Sequence, residues 1–451
     1  MEGASSVQPK APTQNSPPRV LITGGNGYVA QHLIKALFPR AQANEICLAY
    51  TYNARNGVDP LAASLPGPIK DHVLAHRADL EDSDSLHRAV AACKPDAVMH
   101  LAGKKGGNGY NPEPRGRGTR REAVGRSRDW NWGGRGSAWR RGKTPRDRSI
   151  SPLSASLPSS PPAMSSPAAC ARNPEKAMRV NCPLALLDAL ALHSPEALLV
   201  FFSTDQVFSG TVSPPALYSE AGESGRREEE EPVNVYGRSK RAFERAIQDR
   251  WPRHLILRSS NIIGPPSPFL RQGKFLQWLD ELLESSVGPL ELFDDECRSF
   301  LYLQDVLSLL CALLDSCRPF RPSEGPTAGG NVGRGEPVLG TREGEDAKDA
   351  SSLPRASLPA SAGLLVGTYN MGGPDALTRV DLGRLVWRAR GGERGDCSGR
   401  IVPVRRASLN LNFESPLNIG MDSGKLRQDA GRLAFPGTSM EIAIPELLSQ
   451  E

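Results

Sequence analysis

Aromatic residues make up only 6% of this 451-residue chain, and no run of about twenty apolar residues occurs in it. The second absence argues against a membrane-spanning helix, which needs that length to cross the hydrocarbon core. Met1 to Pro18 is polar and proline-rich, with no apolar stretch and almost no arginine. That composition argues against a secretion signal or transit peptide, and a cytoplasmic location is expected. Eight cysteines (Cys47, Cys93, Cys170, Cys182, Cys297, Cys311, Cys317 and Cys397) include no C-x-x-C pair and sit mostly in apolar contexts. They read as reduced, buried thiols and not as a disulfide framework. Seven scattered histidines leave a metal site unsupported.

Glycine and proline, by contrast, are plentiful, at 44 and 39 residues, and they are concentrated. From Lys104 to about Met164 apolar periodicity disappears, giving way to Arg, Gly and Trp and then to Ser and Pro. Lys104 to Ile150 holds 14 Lys+Arg against 4 Asp+Glu, whereas the whole chain is only +5, so the remainder is acidic. The basic character belongs to this insert. A second stretch, Arg321 to Ala362, has the same lack of a core-forming pattern. Both are expected to be disordered. The Arg/Gly run with Trp130, Trp132 and Trp139 has the composition of an RNA-binding arm. A solvated insertion or translated non-coding sequence accounts for it equally simply and is preferred, so a nucleic-acid partner is not expected.

The first chemically informative motif is a glycine-rich turn. Arg19 to Thr23 is a short apolar strand, and Val29, Leu33, Ile34 and Leu37 recur at helical spacing from Tyr28 to Phe38. Between them Gly24, Gly27 and Ala30 form G-x-x-G-x-x-A, which places a tight turn, a close backbone approach and close helix packing at the start of a helix. Such a helix end presents free N–H groups and partial positive charge to a pyrophosphate. Further strands are predicted at Glu45–Tyr50, His72–Asp79, Ala97–Ala102, Ala197–Phe202 and His254–Leu257. Helices are predicted at Ser83–Cys93, Asn173–His193 and Asn234–Trp251. Near-continuous apolar strands alternating with amphipathic helices predict an α/β, doubly wound parallel sheet. The second motif is Tyr236 with Lys240, which share a helix face at i and i+4. A cation there favours the phenolate of a residue whose reference pKa is about 10.

These residues, together with Phe202-Ser-Thr-Asp-Gln-Val-Phe208, Asp79-Leu80, Pro95 to Ala102, Ala177 to Asn181, Leu257 to Gly264, Arg298 to Asp305, Asn370 to Pro374 and Met421 to Leu426, carry a family resemblance. The chain resembles extended short-chain dehydrogenase/reductases of the dTDP-4-dehydrorhamnose reductase type. That branch also contains the regulatory beta subunit of methionine adenosyltransferase. The resemblance implies an NAD(P)-binding Rossmann domain over residues 19–320, interrupted by the insert at 104–164, with a substrate domain interleaved from about 260. Residues 1–18 and 321–362 would be disordered, and 363–451 would complete the substrate domain.

Roles follow from chemistry, with the resemblance supporting each position. Tyr236 gives the proton, Lys240 lowers its pKa and binds the nicotinamide ribose, and Thr204 holds the carbonyl oxygen unless its hydroxyl only satisfies local backbone. Gly24, Asn26, Gly27, Tyr28 and Val29 would line the cofactor, with Asp79 and Leu80 near the adenine and Ala102 and Gly103 beneath it. No acid follows the second strand, in Tyr50-Thr51-Tyr52-Asn53-Ala54-Arg55, so NADPH is favoured over NADH, with Arg55 either a 2′-phosphate partner or a solvated loop cation. On the substrate side Asp205 orients the loop, and Arg258, Arg298 and Lys425 are candidate cations for a nucleotide-sugar diphosphate. The implied activity is NADPH-dependent reduction of a 4-keto-6-deoxy nucleotide sugar in rhamnose biosynthesis, by an enzyme that is a homodimer or partners a methionine adenosyltransferase. The alternatives are a non-catalytic, NADP-binding regulatory subunit of methionine adenosyltransferase and an RNA-associated protein.

Overall fold

All six apolar runs become neighbouring strands of one sheet. The computed structural model describes residues 16–53, 58–101, 167–212, 215–220, 231–284, 288–316, 365–392, 397, 399–408, 413–430 and 435–449. Its strands are β1 (Arg19–Thr23), β2 (Cys47–Tyr52), β3 (Val73–Arg77), β4 (Ala97–His100), β5 (Leu198–Thr204) and β6 (His254–Ser259). A seventh, β7 (Gly367–Met371), adds to the edge beside β6; the sequence marks it only as part of a family-matching segment. The order is β7-β6-β5-β4-β1-β2-β3, and every pairing is parallel. Strand order therefore reverses between β1 and β4, the place where open α/β sheets take ligands.

Side chains alternate across the sheet with period two. Val20 and Ile22 of β1, with Leu198 and Val200 of β5, face α1 (Tyr28–Gln42). Leu21, Leu199 and Phe201 face the other layer, which contains α2 (Ser83–Cys93). All seven residues of β5 are buried, as a strand covered on both faces requires. Each such Leu, Ile or Phe contributes about 1.5–3 kcal/mol on burial.

The predicted helix from Asn173 to His193 is two helices. After a short α3 (Pro167–Arg172) come α4 (Pro174–Asn181) and α5 (Leu184–His193), broken at Cys182 and Pro183. Proline has no N–H to continue the ladder and disfavours helical backbone in the residue before it. Asn173 caps α4 by accepting the Lys176 N–H at 3.1 Å. The helix carrying the Tyr/Lys pair is α6 (Val235–Arg250), capped by Asn234, which accepts the Gly237 N–H at 2.9 Å.

A second core forms beyond β6 from α7 (Phe275–Glu284), α9 (Arg379–Ala389) and α10 (Met440–Ser449), while α8 (Leu303–Ser316) packs back on α1. Leu276, Leu279, Phe300, Leu382 and Ile444 lie at its centre. No described helix is long and apolar enough to cross a membrane, and among the described residues no cluster of three His, Cys, Asp or Glu forms. The seven described cysteines are free thiols. Both inserts, Arg55, Ala102 and Gly103 lie outside the described residues.

Candidate active site

At the carboxyl end of β1 the chain turns through Gly24, whose φ of 75° lies in the left-handed region that favours glycine. The Gly24 and Gly25 N–H groups donate to the Oγ1 and the carbonyl of Thr51 on β2, at 3.1 and 2.8 Å. Gly27 is the N-cap of α1 and has no side chain to occupy the first-turn N–H groups. A Cβ on Gly27 would stand 3.0 Å from the Gly24 carbonyl oxygen, and one on Gly25 would stand 2.3 Å from the Tyr50 ring. Gly25 was missed in the sequence because the motif's spacing passes over it; the adjacent glycine pair was the available signal.

The remaining cofactor candidates differ in what they do. The Asn26 carbonyl accepts from Gln31 Nε2 at 3.0 Å, and its buried Oδ1 makes no hydrogen bond. Tyr28 donates its hydroxyl to the Pro265 carbonyl at 2.8 Å, tying α1 to the segment after β6. Val29 packs against the core on the α1 side of the sheet. Asp79 follows β3 and accepts the Glu81 N–H at 3.1 Å, closing a turn, while Leu80 packs between two apolar clusters.

Tyr236, Lys240 and Thr204 come together where the sheet ends. Thr204 is the last residue of β5; its hydroxyl accepts the Gln206 N–H at 3.2 Å and donates to Asp205 Oδ1 at 3.1 Å, and it lies near enough to the Tyr236 phenol to oppose the rise in that phenol's pKa. The local reading of the Thr204 hydroxyl is thus observed, through Gln206 and Asp205. Burial pushes the Tyr236 pKa up, and the Thr204 contact lowers it only in part. Lys240 does not sit against the phenol as expected from its i+4 spacing. Its ammonium donates to the Phe202 carbonyl at 2.9 Å and lies 4.6 Å from the centre of the Phe201 ring. Burial pushes its pKa down to about 8, against opposing pulls from Glu244 and Cys170. The sequence expectation that Lys240 depresses the Tyr236 pKa is corrected accordingly: desolvation dominates, and the lysine's charge is directed at the strand end.

The proposed substrate cations are engaged within the protein. Arg258 forms a buried ion pair with Glu244, Nη2 to Oε2 at 2.8 Å, and donates Nη1 to the Glu220 carbonyl at 3.1 Å. Arg298 donates to the Cys297 and Leu417 carbonyls at 2.8 Å each, to Pro416 at 2.7 Å and to Ser415 Oγ at 3.1 Å. Lys425 pairs with Asp429 at 3.1 Å and lies over Tyr369. Asp205 accepts from Thr204 and, at 3.0 Å, from Ser260, which ties the end of β5 to the segment after β6. Burial pushes its pKa up, with Arg298 opposing.

Three further residues build the site. A Cβ on Gly237 would fall 2.0 Å from the Gln206 carbonyl oxygen, so only glycine lets α6 approach the loop after Thr204. A glycine in the first turn of a helix was a readable signal. Asn234 Nδ2 donates to Gln206 Oε1 at 2.9 Å and to the Glu414 carbonyl at 3.2 Å. Beside it opens a cavity of about 440 Å³ lined in part by Ser209, Gly210, Val233, Arg406, Phe413 and Glu414. Finally His100, ending β4, bonds Thr23 Oγ1 through Nδ1 at 2.7 Å, and burial pushes its pKa down to about 3.

Comparison with known proteins returns two family models: the RmlD substrate binding domain over residues 163–321 and GDP-mannose 4,6 dehydratase over residues 21–106. The dTDP-4-dehydrorhamnose reductase of Salmonella typhimurium is 39% identical over 87 residues, 19% of this chain and 26% of that protein. A Haloferax volcanii protein named "Probable low-salt glycan biosynthesis reductase Agl14" is 31% identical over 147 residues, 33% of this chain and 46% of that protein. These matches span less than half of either relative. Among solved structures, dTDP-4-dehydrorhamnose reductase from Bacillus anthracis, in complex with NADP, aligns with a TM-score of 0.54 at 13% identity, covering 96% of this chain and 100% of that one. The resemblance read in the sequence therefore holds: in its matched segments and its fold, the chain is similar to extended short-chain dehydrogenase/reductases of the dTDP-4-dehydrorhamnose reductase type.

Proposed function

We propose that the protein is an NADPH-dependent reductase of a 4-keto-6-deoxy nucleotide sugar. The observation that carries this reading is the convergence of Tyr236, Thr204 and Lys240 at the carboxyl end of β5, one strand from the reversal point of the sheet. The glycine turn fits a dinucleotide, since added Cβ atoms would crowd it and the end of α1 has no side-chain cap. Bound reduced nicotinamide supplies a hydride to the carbonyl carbon. The protein's share is then the oxygen: Thr204 holds it, and Tyr236 delivers the proton as negative charge develops. Burial suits Tyr236 to this direction because it keeps the phenol protonated until the oxygen demands a proton. Lys240, a buried cation next to the strand end, offers its charge to the ribose hydroxyls.

The preference for NADPH rests on the end of β2. Tyr52 and Asn53 place no acid there to meet a ribose 2′-hydroxyl, and Asp59, the next carboxylate, is committed to the Tyr50 hydroxyl at 2.5 Å and the Leu61 N–H at 2.9 Å. The cavity beside Asn234 is the proposed seat of the nucleotide sugar. The test is oxidation of NADPH with dTDP-4-dehydrorhamnose and its UDP counterpart, each against NADH. Turnover with either sugar and NADPH supports the reading. Absence of turnover with both, together with co-purification of a methionine adenosyltransferase, replaces it with the regulatory-subunit reading.

A further inference from the structure

Glu244 lies on α6 one further turn beyond Lys240, so Tyr236, Lys240 and Glu244 follow one another at i, i+4 and i+8 along one helix face. Its carboxylate is buried to 2% exposure and fully occupied. Oε1 accepts from Ser203 Oγ and from Arg258 Nε at 3.2 Å, and Oε2 accepts from Arg258 Nε and Nη2 at 3.2 and 2.8 Å. Ser203 stands between Phe202, whose carbonyl receives the Lys240 ammonium, and Thr204, whose hydroxyl meets Tyr236. One carboxylate thus fixes the strand end that carries Thr204 and the carbonyl receiving Lys240, and it shares a helix face with the other two site groups, Tyr236 and Lys240.

We propose that Glu244 is a positioning residue of this site: clamped by Arg258 and Ser203, it holds the Lys240 cation against the end of β5. The inference rests on the reductase reading above and extends it to a residue that touches neither cofactor nor substrate. The titratable groups that act on Lys240 are Glu244 on α6, Cys170 on α3 and His100 on β4, with Tyr236 one turn before it on α6, Asp205 acting on Tyr236, and Arg258 of β6 paired to Glu244. Cys170 and His100 are held neutral by burial, their pKa values pushed up to about 11 and down to about 3. Glu244 is then the nearby anion opposing the desolvation of Lys240, and Arg258 is the partner that makes a buried carboxylate tolerable there. The same pairing explains why Arg258 is not free to bind a diphosphate.

The test follows Lys240 itself, in the full chain labelled with 13C at lysine Cε, the resonance being assigned by its loss in Lys240→Arg. In the wild type it is expected to titrate near about 8. In Glu244→Gln the midpoint should fall by about one unit or more, a tenfold or greater loss of proton affinity. Glu244→Gln/Arg258→Met, which leaves no stranded guanidinium, guards against simple misfolding and should show the same direction. NADPH binding by Glu244→Gln should be weakened at pH 8 and recover at pH 6, where Lys240 is recharged; a merely structural defect would not recover. An unmoved Lys240 midpoint in both variants overturns the inference. Failure of the reductase reading shows separately, as a wild type inert toward every nucleotide sugar.

Discussion

At the scale of single residues, burial decides more than charge pairing. Lys240 keeps its proton only below about pH 8. Its pKa is lowered relative to the unfolded chain, so the unfolded state binds more protons between about 8 and 10.4, and this group's contribution to stability rises with pH across that window. Cofactor capture runs the other way. Because kcat/KM reports the free enzyme, its value for NADPH should be level below about pH 8 and fall as pH rises beyond it; a profile flat to pH 10 would remove Lys240 from cofactor binding. Gly237 gives a steric prediction. Gly237→Ala places a methyl group 2.0 Å from the Gln206 carbonyl, so the helix must lift away from Thr204. Stability should drop by about 1–3 kcal/mol in chemical denaturation, with kcat falling more than NADPH affinity.

At the scale of elements, the sequence displayed the sheet well because each strand is a short apolar run between turn residues, and both faces are covered. Strand limits shifted by one or two residues, since β2 runs to Tyr52 and β5 to Thr204. The break at Pro183 was readable and passed over because the apolar residues on either side keep helical spacing. What a sequence cannot display is a partner. Arg258 and Arg298 look like available cations until Glu244, 14 residues earlier, and the carbonyls of residues 416 and 417 are folded against them. Arg298 ties the short strand Cys297–Arg298 to residues 415–417, which lead into its parallel neighbour Asn418–Ile419, through three acceptors, and also donates to its own strand's Cys297 carbonyl. Arg298→Lys cannot reproduce that planar fork. It should cost about 2–3 kcal/mol in urea unfolding, while NADPH affinity stays within twofold; a large loss of substrate affinity at unchanged stability would restore Arg298 as a ligand.

At the scale of the whole molecule, one parallel sheet provides the dinucleotide turn at β1 and the Tyr236–Thr204 pair at β5, and a second core closes beside them. Residues 104–164 carry the positive charge but lack any apolar periodicity, whereas β4 already pairs with β1 and β5 on both sides. Deleting them should therefore leave the thermal midpoint within a few degrees; unfolding on deletion would mean that the segment supplies part of a core. The central claim is that Tyr236 protonates the oxygen of a reduced ketone. Its most direct test is the single-turnover rate of NADPH oxidation by wild type and Tyr236→Phe with dTDP-4-dehydrorhamnose. The phenyl ring keeps the packing but carries no proton to donate, so the variant should lose about 10²–10⁴ in rate with NADPH affinity nearly unchanged, and a Tyr236→Phe protein as fast as wild type would contradict the account.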